Sequence, residues 1–273
     1  MSDETVLITG CSSGIGRATA KLFAEEEWVV YATARDAADV EEIDGVHAAE
    51  LDVRDADGIE GLVDRILDEQ GRIDCLVNNA GYGQYGPLED IPAKELHRQF
   101  DVNVYGPHRL SRAVLPHMRA AGDGTIINIS STSGRISVPG SGAYSGSKFA
   151  LEAMSDALRG EVSGFGVDVV LVEPGPVATN FSERSREELT KDLHRQEDLY
   201  GWLYEAIEDT SLLAGSSPLA VSPRRVASVI HEAAESTDPR ARYPVAGARF
   251  LLLARFLPER VRDLGISIIR RVA

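Results

Sequence analysis

The sequence predicts an α/β domain with a doubly wound parallel sheet, covered by helices on both faces to form a three-layer α/β/α sandwich. Two features predict this fold. Short apolar runs such as TVLIT at 5–9 and VDVVLVEPG at 167–175 lack regular alternation with polar residues, so both faces of these strands should be buried. Helical patterns separate the runs, and strands that alternate with helices are typical of a parallel sheet.

The elements follow one another in a regular order. The first strand runs into a glycine-rich turn and then a helix with the sequence GRATAKLFAEEE. Later strands are expected in WVVYATA, GVHAAELDV, RIDCLVNNAG and GTIINISS, and helices in DADGIEGLVDRILDEQG, at about 93–121 and at about 142–163. We expect a single domain over residues 1–273, because no stretch resembles a hinge between two domains.

Two segments depart from this order. Residues 180–222 are polar and charged, and they follow the strand at 167–175. An insertion at that point can cover a ligand crevice, so we interpret it as lid-like, with a solvated helical excursion as the alternative. Residues 247–273 form an extension that is both apolar and basic.

Composition excludes several classes of protein. The net charge of −15 argues against a nucleic-acid partner. No apolar run approaches the roughly 18 residues of a membrane span, and the chain enters its first strand without room for a signal peptide, so we expect a cytoplasmic protein. Cys11, Cys75 and the six histidines have no metal-ligand spacing, so we expect no metal.

The basic residues are unusual in kind, because only four of the 28 are lysine. An acidic, lysine-poor surface suits a high-salt cytoplasm, because such surfaces repel one another and tolerate strong screening of their charges by salt. Acidic proteins also occur in ordinary cells, so a halophilic source is one of two interpretations.

A glycine-rich turn, TGCSSGIG, lies directly between the first strand and the first helix. Gly10 permits a tight turn, while Gly14 and Gly16 let the backbone approach a pyrophosphate at the positive end of the helix. The position between a strand and a helix separates a phosphate-binding turn from an accidental glycine cluster. The sequence therefore predicts a dinucleotide site here.

A second motif, YSGSK, places Tyr144 and Lys148 four residues apart in a helical pattern. On a helix this spacing puts both side chains on one face. Taken alone, the pair is an ordinary surface feature. Beside a dinucleotide it can perform acid–base chemistry, because a lysine cation one turn away favours ionisation of the phenol.

Six motifs occur together in one order: TGCSSGIG, NNAG at 78–81, DVNVYG, NISSTSG, YSGSK and EPGPVAT at 173–179. On these motifs the chain resembles the classical short-chain dehydrogenases/reductases, from the first strand to about residue 180. The resemblance implies a Rossmann fold and an oxidoreductase that interconverts alcohols and carbonyls by hydride transfer, with a tyrosine as general acid/base. It implies the catalytic residues Asn103, Ser131, Tyr144 and Lys148, with Ser130 as the alternative to Ser131.

The resemblance also implies a nicotinamide cofactor. Arg35, directly after the second strand, suits the 2′-phosphate of NADP(H), while the adjoining Asp36 leaves NAD(H) open. The cofactor-binding residues carried over from the family are Gly10, Ser12, Ser13, Gly14, Ile15, Gly16, Arg35, Asp52, Val53, Asn79, Ala80, Gly81, Tyr144, Lys148, Pro174, Gly175, Val177 and Thr179.

Substrate and assembly are less determined. The C-terminal extension and the VYATARD ending of the second strand resemble the 17β-hydroxysteroid and retinol dehydrogenase branch, which implies a bulky apolar, steroid- or retinoid-like substrate. The extension has three interpretations: a substrate wall, a subunit contact, or an interfacial helix on an anionic membrane. The family implies a homodimer or homotetramer. A dinucleotide-binding redox regulator without turnover, or an epimerase or dehydratase, remains an alternative function.

Overall fold

A computed structural model describes residues 4–179, 181, 195–208, 220–245, 256, 258 and 260. Its centre is a seven-stranded parallel sheet with the strand order β3-β2-β1-β4-β5-β6-β7. The strands are β1 Thr5–Ile8, β2 Val29–Ala34, β3 Val46–Glu50, β4 Cys75–Asn78, β5 Gly124–Ile129, β6 Val167–Pro174 and β7 Arg242–Val245. The doubly wound parallel sheet predicted from the sequence is confirmed.

The helices connect these strands in the expected way. They are α1 Gly14–Glu25, α2 Ala38–Glu41, α3 Ala56–Gln70, α4 Ala93–Phe100, α5 Gly106–Ala121, α6 Gly142–Val162, α7 Glu197–Glu208 and α8 Pro223–Ala234. A π-helical turn at Asp101–Tyr105 joins α4 to α5, so the long helical region predicted at about 93–121 is continuous but locally widened. Pro107, which has no N–H to donate to the preceding turn, lies just after this widened turn.

Two apolar layers hold the sheet between its helices. One layer packs Phe23 of α1 and Ile230 of α8 against strand residues such as Val6 and Val172. The other packs Ile59 of α3 together with side chains of α5 against the opposite sheet face. Burial on both faces explains why the strand sequences are almost continuously apolar.

The sequence patterns missed three described elements, the short helix α2, the strand β7 and the helix α8. The strand β7 pairs with β6 in parallel, and it is only four residues long and contains Pro244. The lid-like insertion predicted at about 180–222 lies partly outside the described residues, and α7 is the described helix within it. Apart from Phe256, Pro258 and Arg260, the extension at 247–273 also lies outside them.

Candidate active site

The glycine-rich turn lies at the carboxyl end of β1. Gly10 and Gly14 have φ angles of 73° and 59°, a left-handed conformation that favours glycine. Gly16 has no room for a side chain, because a Cβ there would lie 2.3 Å from Gly10 O and 2.4 Å from Asn79 Nδ2. Ile15 packs against the core from the first turn of α1. These contacts fix the turn tightly against the end of β4.

Asn79 and Thr9 brace the turn. Asn79 Nδ2 donates to Thr9 O at 2.8 Å and to Gly10 O at 3.1 Å. The Thr9 hydroxyl accepts from the backbone N–H groups of Asn79 and Ala80, each at 3.0 Å. Gly81 follows, and a Cβ there would lie 3.1 Å from Asn103 Oδ1. The ends of β1 and β4 are therefore joined into one rigid wall.

A cleft of about 360 Å³ opens beside the turn at the N-terminus of α1. The first N–H groups of a helix have no intrahelical acceptor, and they attract anions. Ser13 at the N-cap makes no side-chain cap hydrogen bond to these N–H groups. The cleft is lined by Ser12, Ser13, Gly14, Arg17, Ala18, Lys21, Ala178, Thr179 and Pro223. Its N–H groups, hydroxyls and two cations fit the pyrophosphate of a dinucleotide.

The segment after β6 forms the opposite side of the cleft. Pro174 ends the strand, and Gly175 N donates to Val245 O at 3.3 Å. Val177 pairs with Val221 in an isolated parallel bridge that holds the segment in place. Thr179 faces the glycine turn, since a Cβ on Gly14 would lie 3.3 Å from Thr179 Cγ2.

The far end of the site carries charged side chains after β2 and β3. Arg35 is exposed and makes no hydrogen bond or close ion pair with any described residue. Asp52 is instead held by Arg54, whose Nη2 lies 2.5 Å from Asp52 Oδ2, and this hydrogen bond lowers the pKa of the carboxyl. Val53 is buried against Gly106, where a Cβ would lie 2.9 Å from Val53 Cγ2.

Tyr144, Lys148 and Ser131 meet near the carboxyl end of β5. The Ser131 side chain lies beside the Tyr144 phenol, close enough to lower the pKa of that phenol. Lys148 Nζ donates to Ile129 O at 2.7 Å and lies 5.9 Å from the centre of the Tyr144 ring. The neighbouring Ser130 Oγ is buried without a hydrogen-bond partner among the described residues, and Gly134 lies against it. The structure thus brings Ser131, rather than Ser130, to the tyrosine.

Burial shifts the pKa of both titratable groups. It raises the pKa of Tyr144 to about 12, and the nearby Ser131 side chain works in the opposite direction. It lowers the pKa of Lys148 to about 8, opposed by the charge of Glu152. At neutral pH the Tyr144 phenol therefore holds its proton, which is the state that a general acid requires.

Asn103 lies in the π-helical turn and is buried. Its Nδ2 donates to Tyr82 O at 2.9 Å and to Ser147 Oγ at 3.1 Å, while its Oδ1 accepts from Tyr82 N at 3.1 Å. Gln99, one turn earlier, donates to the same Tyr82 O at 2.7 Å and accepts from Gln84 N at 2.6 Å. Together Asn103 and Gln99 clamp the loop that follows β4.

That loop places an aromatic ring beside Tyr144. The ring centres of Tyr85 and Phe181 lie 5.6 and 5.7 Å from that of Tyr144. Helix α7 packs Leu203 and Ile207 against Tyr85 and Gly140, so it borders this cluster of aromatic rings. Sequence reasoning missed Tyr85, Phe181, Thr9, Gln99 and Arg54 as site residues. The threonine of TGCSSGIG was visible in the motif, and Arg54 lies only two residues after Asp52. Tyr85, Phe181 and Gln99 depend on contacts between distant segments.

Comparison with known proteins agrees with this geometry. A family model described as short chain dehydrogenase matches residues 4–190, which is more than half of the chain. The chain belongs to the short-chain dehydrogenase family. Its relatives include the uncharacterized oxidoreductase YbbO of Escherichia coli (strain K12), 38% identical over 95% of this chain and 93% of the relative.

Two further relatives have named activities. The 3-ketodihydrosphingosine reductase of Bacteroides thetaiotaomicron is 35% identical over 98% of both chains. The NADPH-dependent 3-dehydrocapnine reductase of Ornithobacterium rhinotracheale is 32% identical over 94% of both. The chain is thus an oxidoreductase of this family.

Solved structures of the family superpose well on this fold. A short-chain dehydrogenase from Streptomyces avermitilis is 32% identical, with a TM-score of 0.82 over 100% of this chain and 99% of that chain. A metagenomic short-chain oxidoreductase in complex with NADP has a TM-score of 0.70 and 28% identity over 90% and 97%. A Burkholderia phymatum enzyme in complex with NAD has a TM-score of 0.82 and 25% identity over 97% and 95%. These neighbours support a nicotinamide dinucleotide cofactor. In the described part of the chain, no helix has both the length and the apolarity to cross a membrane.

Proposed function

We propose that the protein is an NADP(H)-dependent oxidoreductase that interconverts an alcohol and a carbonyl on a bulky apolar molecule. The observation that carries the proposal is the convergence of three side chains: the buried Lys148 has its Nζ 5.9 Å from the centre of the Tyr144 ring, and Ser131 lies beside the Tyr144 phenol. The three groups lie at the carboxyl edge of the sheet, as does the glycine turn. Ligands of open α/β sheets bind along this edge.

In this proposal each group has a separate task. A bound nicotinamide supplies the hydride in reduction and accepts it in oxidation. Tyr144 donates its proton to the carbonyl oxygen in reduction and takes it back in oxidation. Ser131 donates a hydrogen bond to the same oxygen and fixes its position. The ammonium of Lys148 favours the phenolate through its charge, and Asn103 holds the adjoining loop in register.

We further propose that NADP(H) is preferred over NAD(H). The support is the exposed Arg35, directly after β2, where the family binds the ribose of the adenosine; among the described residues Arg35 has no hydrogen bond or close ion pair. Asp52, the nearby acid, is already paired with Arg54. Its charge is therefore partly neutralised, which reduces the repulsion of a 2′-phosphate.

For the substrate we propose a ketone or alcohol with a large apolar body. Tyr85, Phe181 and the apolar side of α7 border the space next to Tyr144, and such walls favour apolar ligands. The sequence resemblance to the steroid and retinol branch points in this direction. The names of the relatives that act on 3-ketodihydrosphingosine and 3-dehydrocapnine suggest a long aliphatic ketone as the second class to test.

The proposal is tested by the consumption of NADPH and NADH with a panel of steroid, retinoid, long-chain aliphatic and short-chain carbonyls, in low and molar salt. We expect turnover with NADPH and at least one bulky carbonyl, and little with acetone. The reverse panel of alcohols with NADP is the necessary complement. Tight binding of NADPH with no turnover in either direction would contradict the proposal and favour a dinucleotide-binding regulator.

A further inference from the structure

A cluster of buried charges lies behind the Tyr144–Lys148 pair. Glu152 and Glu173 are only 5% and 1% exposed, yet both are acidic. Arg242 approaches Glu152 at 3.1 Å and Glu173 at 3.3 Å, and Arg135 approaches Glu173 at 3.1 Å and Glu152 at 3.7 Å. Two acids and two arginines therefore form a closed group between α6, β6 and β7.

Glu152 is the member of this cluster that lies on α6, the helix that also carries Tyr144 and Lys148. It follows Lys148 by four residues, so the two side chains project from the same face of the helix. Both also flank Gly134, where a Cβ would lie 3.0 Å from Glu152 Cγ and 3.2 Å from Lys148 O. Because Gly134 has no side chain, helix α6 can approach it this closely.

Arg135 and Arg242 hold the Glu152 carboxylate in place, and the charge of Glu152 still acts on Lys148. One carboxylate oxygen, Oε2, takes the contacts from Arg135 and Arg242. The other, Oε1, is buried with no hydrogen-bond partner among the described residues. Burial raises the pKa of Glu173, so this second acid of the cluster takes up a proton more readily than an exposed glutamate. The charged or titratable groups that face this region are Tyr144, Lys148 and Asp156 of α6, Arg135, Glu173 of β6 and Arg242 of β7.

We propose that Glu152 is a positioning residue for the reaction: its carboxylate, fixed by Arg135 and Arg242, stabilises the ammonium form of Lys148 one turn away. A buried lysine would otherwise lose its proton and with it the charge that favours the Tyr144 phenolate. The inference extends the proposed function, because it assigns a task to a residue that does not touch substrate or cofactor.

The scarcity of lysine makes a direct test practical, since the chain has only four lysines in 273 residues. Protein labelled with ¹³C at lysine Cε gives few signals, and the Lys148→Arg variant identifies the one from Lys148. We expect that signal to titrate near pH 8 in the wild type. Glu152→Gln should lower the midpoint by about one pH unit, which is the size of one nearby charge in a partly desolvated site.

Three matched variants separate this effect from a loss of stability. Glu152→Asp keeps the charge and should return the midpoint close to the wild-type value. Asp156→Asn removes another partner of Arg242, one turn further from Lys148, and should lower thermal stability with little shift of the midpoint. Arg242→Gln removes a positive charge beside Glu152 and should move the midpoint upwards, so it provides the test if Glu152→Gln does not fold.

The titration needs no turnover, so its outcome is independent of the proposed function. An unchanged Lys148 midpoint in a folded Glu152→Gln, or in Arg242→Gln if the former does not fold, would overturn the inference. If the wild type turned over no substrate but the midpoints moved as expected, the electrostatic coupling would stand and the proposed function would fail. In an active enzyme, the alkaline limb of kcat/KM for reduction should move with the midpoint.

Discussion

Tyr204 donates a hydrogen bond of 2.5 Å to the buried Asp90 and so ties helix α7 to the loop after β4. Gln196, just before the helix, donates two more hydrogen bonds to Asp90, from its backbone N–H at 3.2 Å and from Nε2 at 2.7 Å. Because α7 packs on Tyr85 beside Tyr144, this link fixes one border of the proposed substrate site.

The Tyr204→Phe variant should therefore loosen α7. It removes one hydrogen bond from a buried carboxylate, which costs about 1–3 kcal/mol of stability. We expect a lower Tm and a KM for apolar substrates raised about tenfold, with the Kd of NADPH unchanged. The control is Tyr200→Phe, which removes an exposed hydrogen bond from α7 to Glu89. Equal kinetic effects of the two variants would contradict the role given to Asp90.

Position 16 requires glycine, because a side chain there would collide with the backbone of the turn. A methyl group there would lie 2.3 Å from Gly10 O, so Gly16→Ala should displace the turn and weaken NADPH binding at least tenfold, as measured by fluorescence titration. The matched control is Gly61→Ala in α3, where a Cβ would meet nothing within 4 Å. Alanine is the better helix former, so this variant should gain up to about 1 kcal/mol of stability. Undiminished NADPH affinity in Gly16→Ala would show that the turn does not hold the cofactor.

Selection between the two cofactors should depend on Arg35. Replacing it with glutamine removes a charge-assisted hydrogen bond to a 2′-phosphate, which contributes about 1.5–3 kcal/mol. We expect the Kd of NADPH to rise at least tenfold while that of NADH changes less than about twofold. Equilibrium titrations with both cofactors measure the ratio, and a parallel loss of both affinities would argue against a phosphate contact.

The buried cation of Lys148 should reduce stability near neutral pH. Burial lowers its pKa from 10.5 to about 8, so between these values the unfolded chain binds more protons than the folded protein. Stability linked to this group therefore rises as the pH rises through that window, and the penalty is greatest below pH 8. The free energy of unfolding of Lys148→Met, measured in urea, should exceed that of the wild type by about 2 kcal/mol at pH 7. This gain should shrink towards pH 10. A variant that is less stable than the wild type at both pH values would contradict this expectation.

Much of the fold and site could be predicted because the signals are local. Apolar strands and intervening helices indicate the sheet, and the carboxyl ends of its parallel strands bring Gly10, Asn79, Ser131 and Thr179 to one edge. The helical spacing of Tyr144 and Lys148 indicates their common face.

The missed features depend on long-range contacts. Arg242 and Glu152 are 90 residues apart in the chain, and Tyr204 is 114 residues from Asp90. Neither spacing leaves a periodic pattern in the sequence. The short β7 strand was missed for a similar reason, because its pairing with β6 rather than its own composition defines it.

The most direct test of the proposed chemistry is Tyr144→Phe, which removes one hydroxyl from a ring that is already fixed by packing. NADPH binding and carbonyl reduction should be measured on the same preparation. We predict that the Kd of NADPH stays within about threefold of the wild type, while kcat falls by at least about a hundredfold because the proton donor is lost. Turnover within a few-fold of the wild type would contradict the assignment of Tyr144 as the general acid.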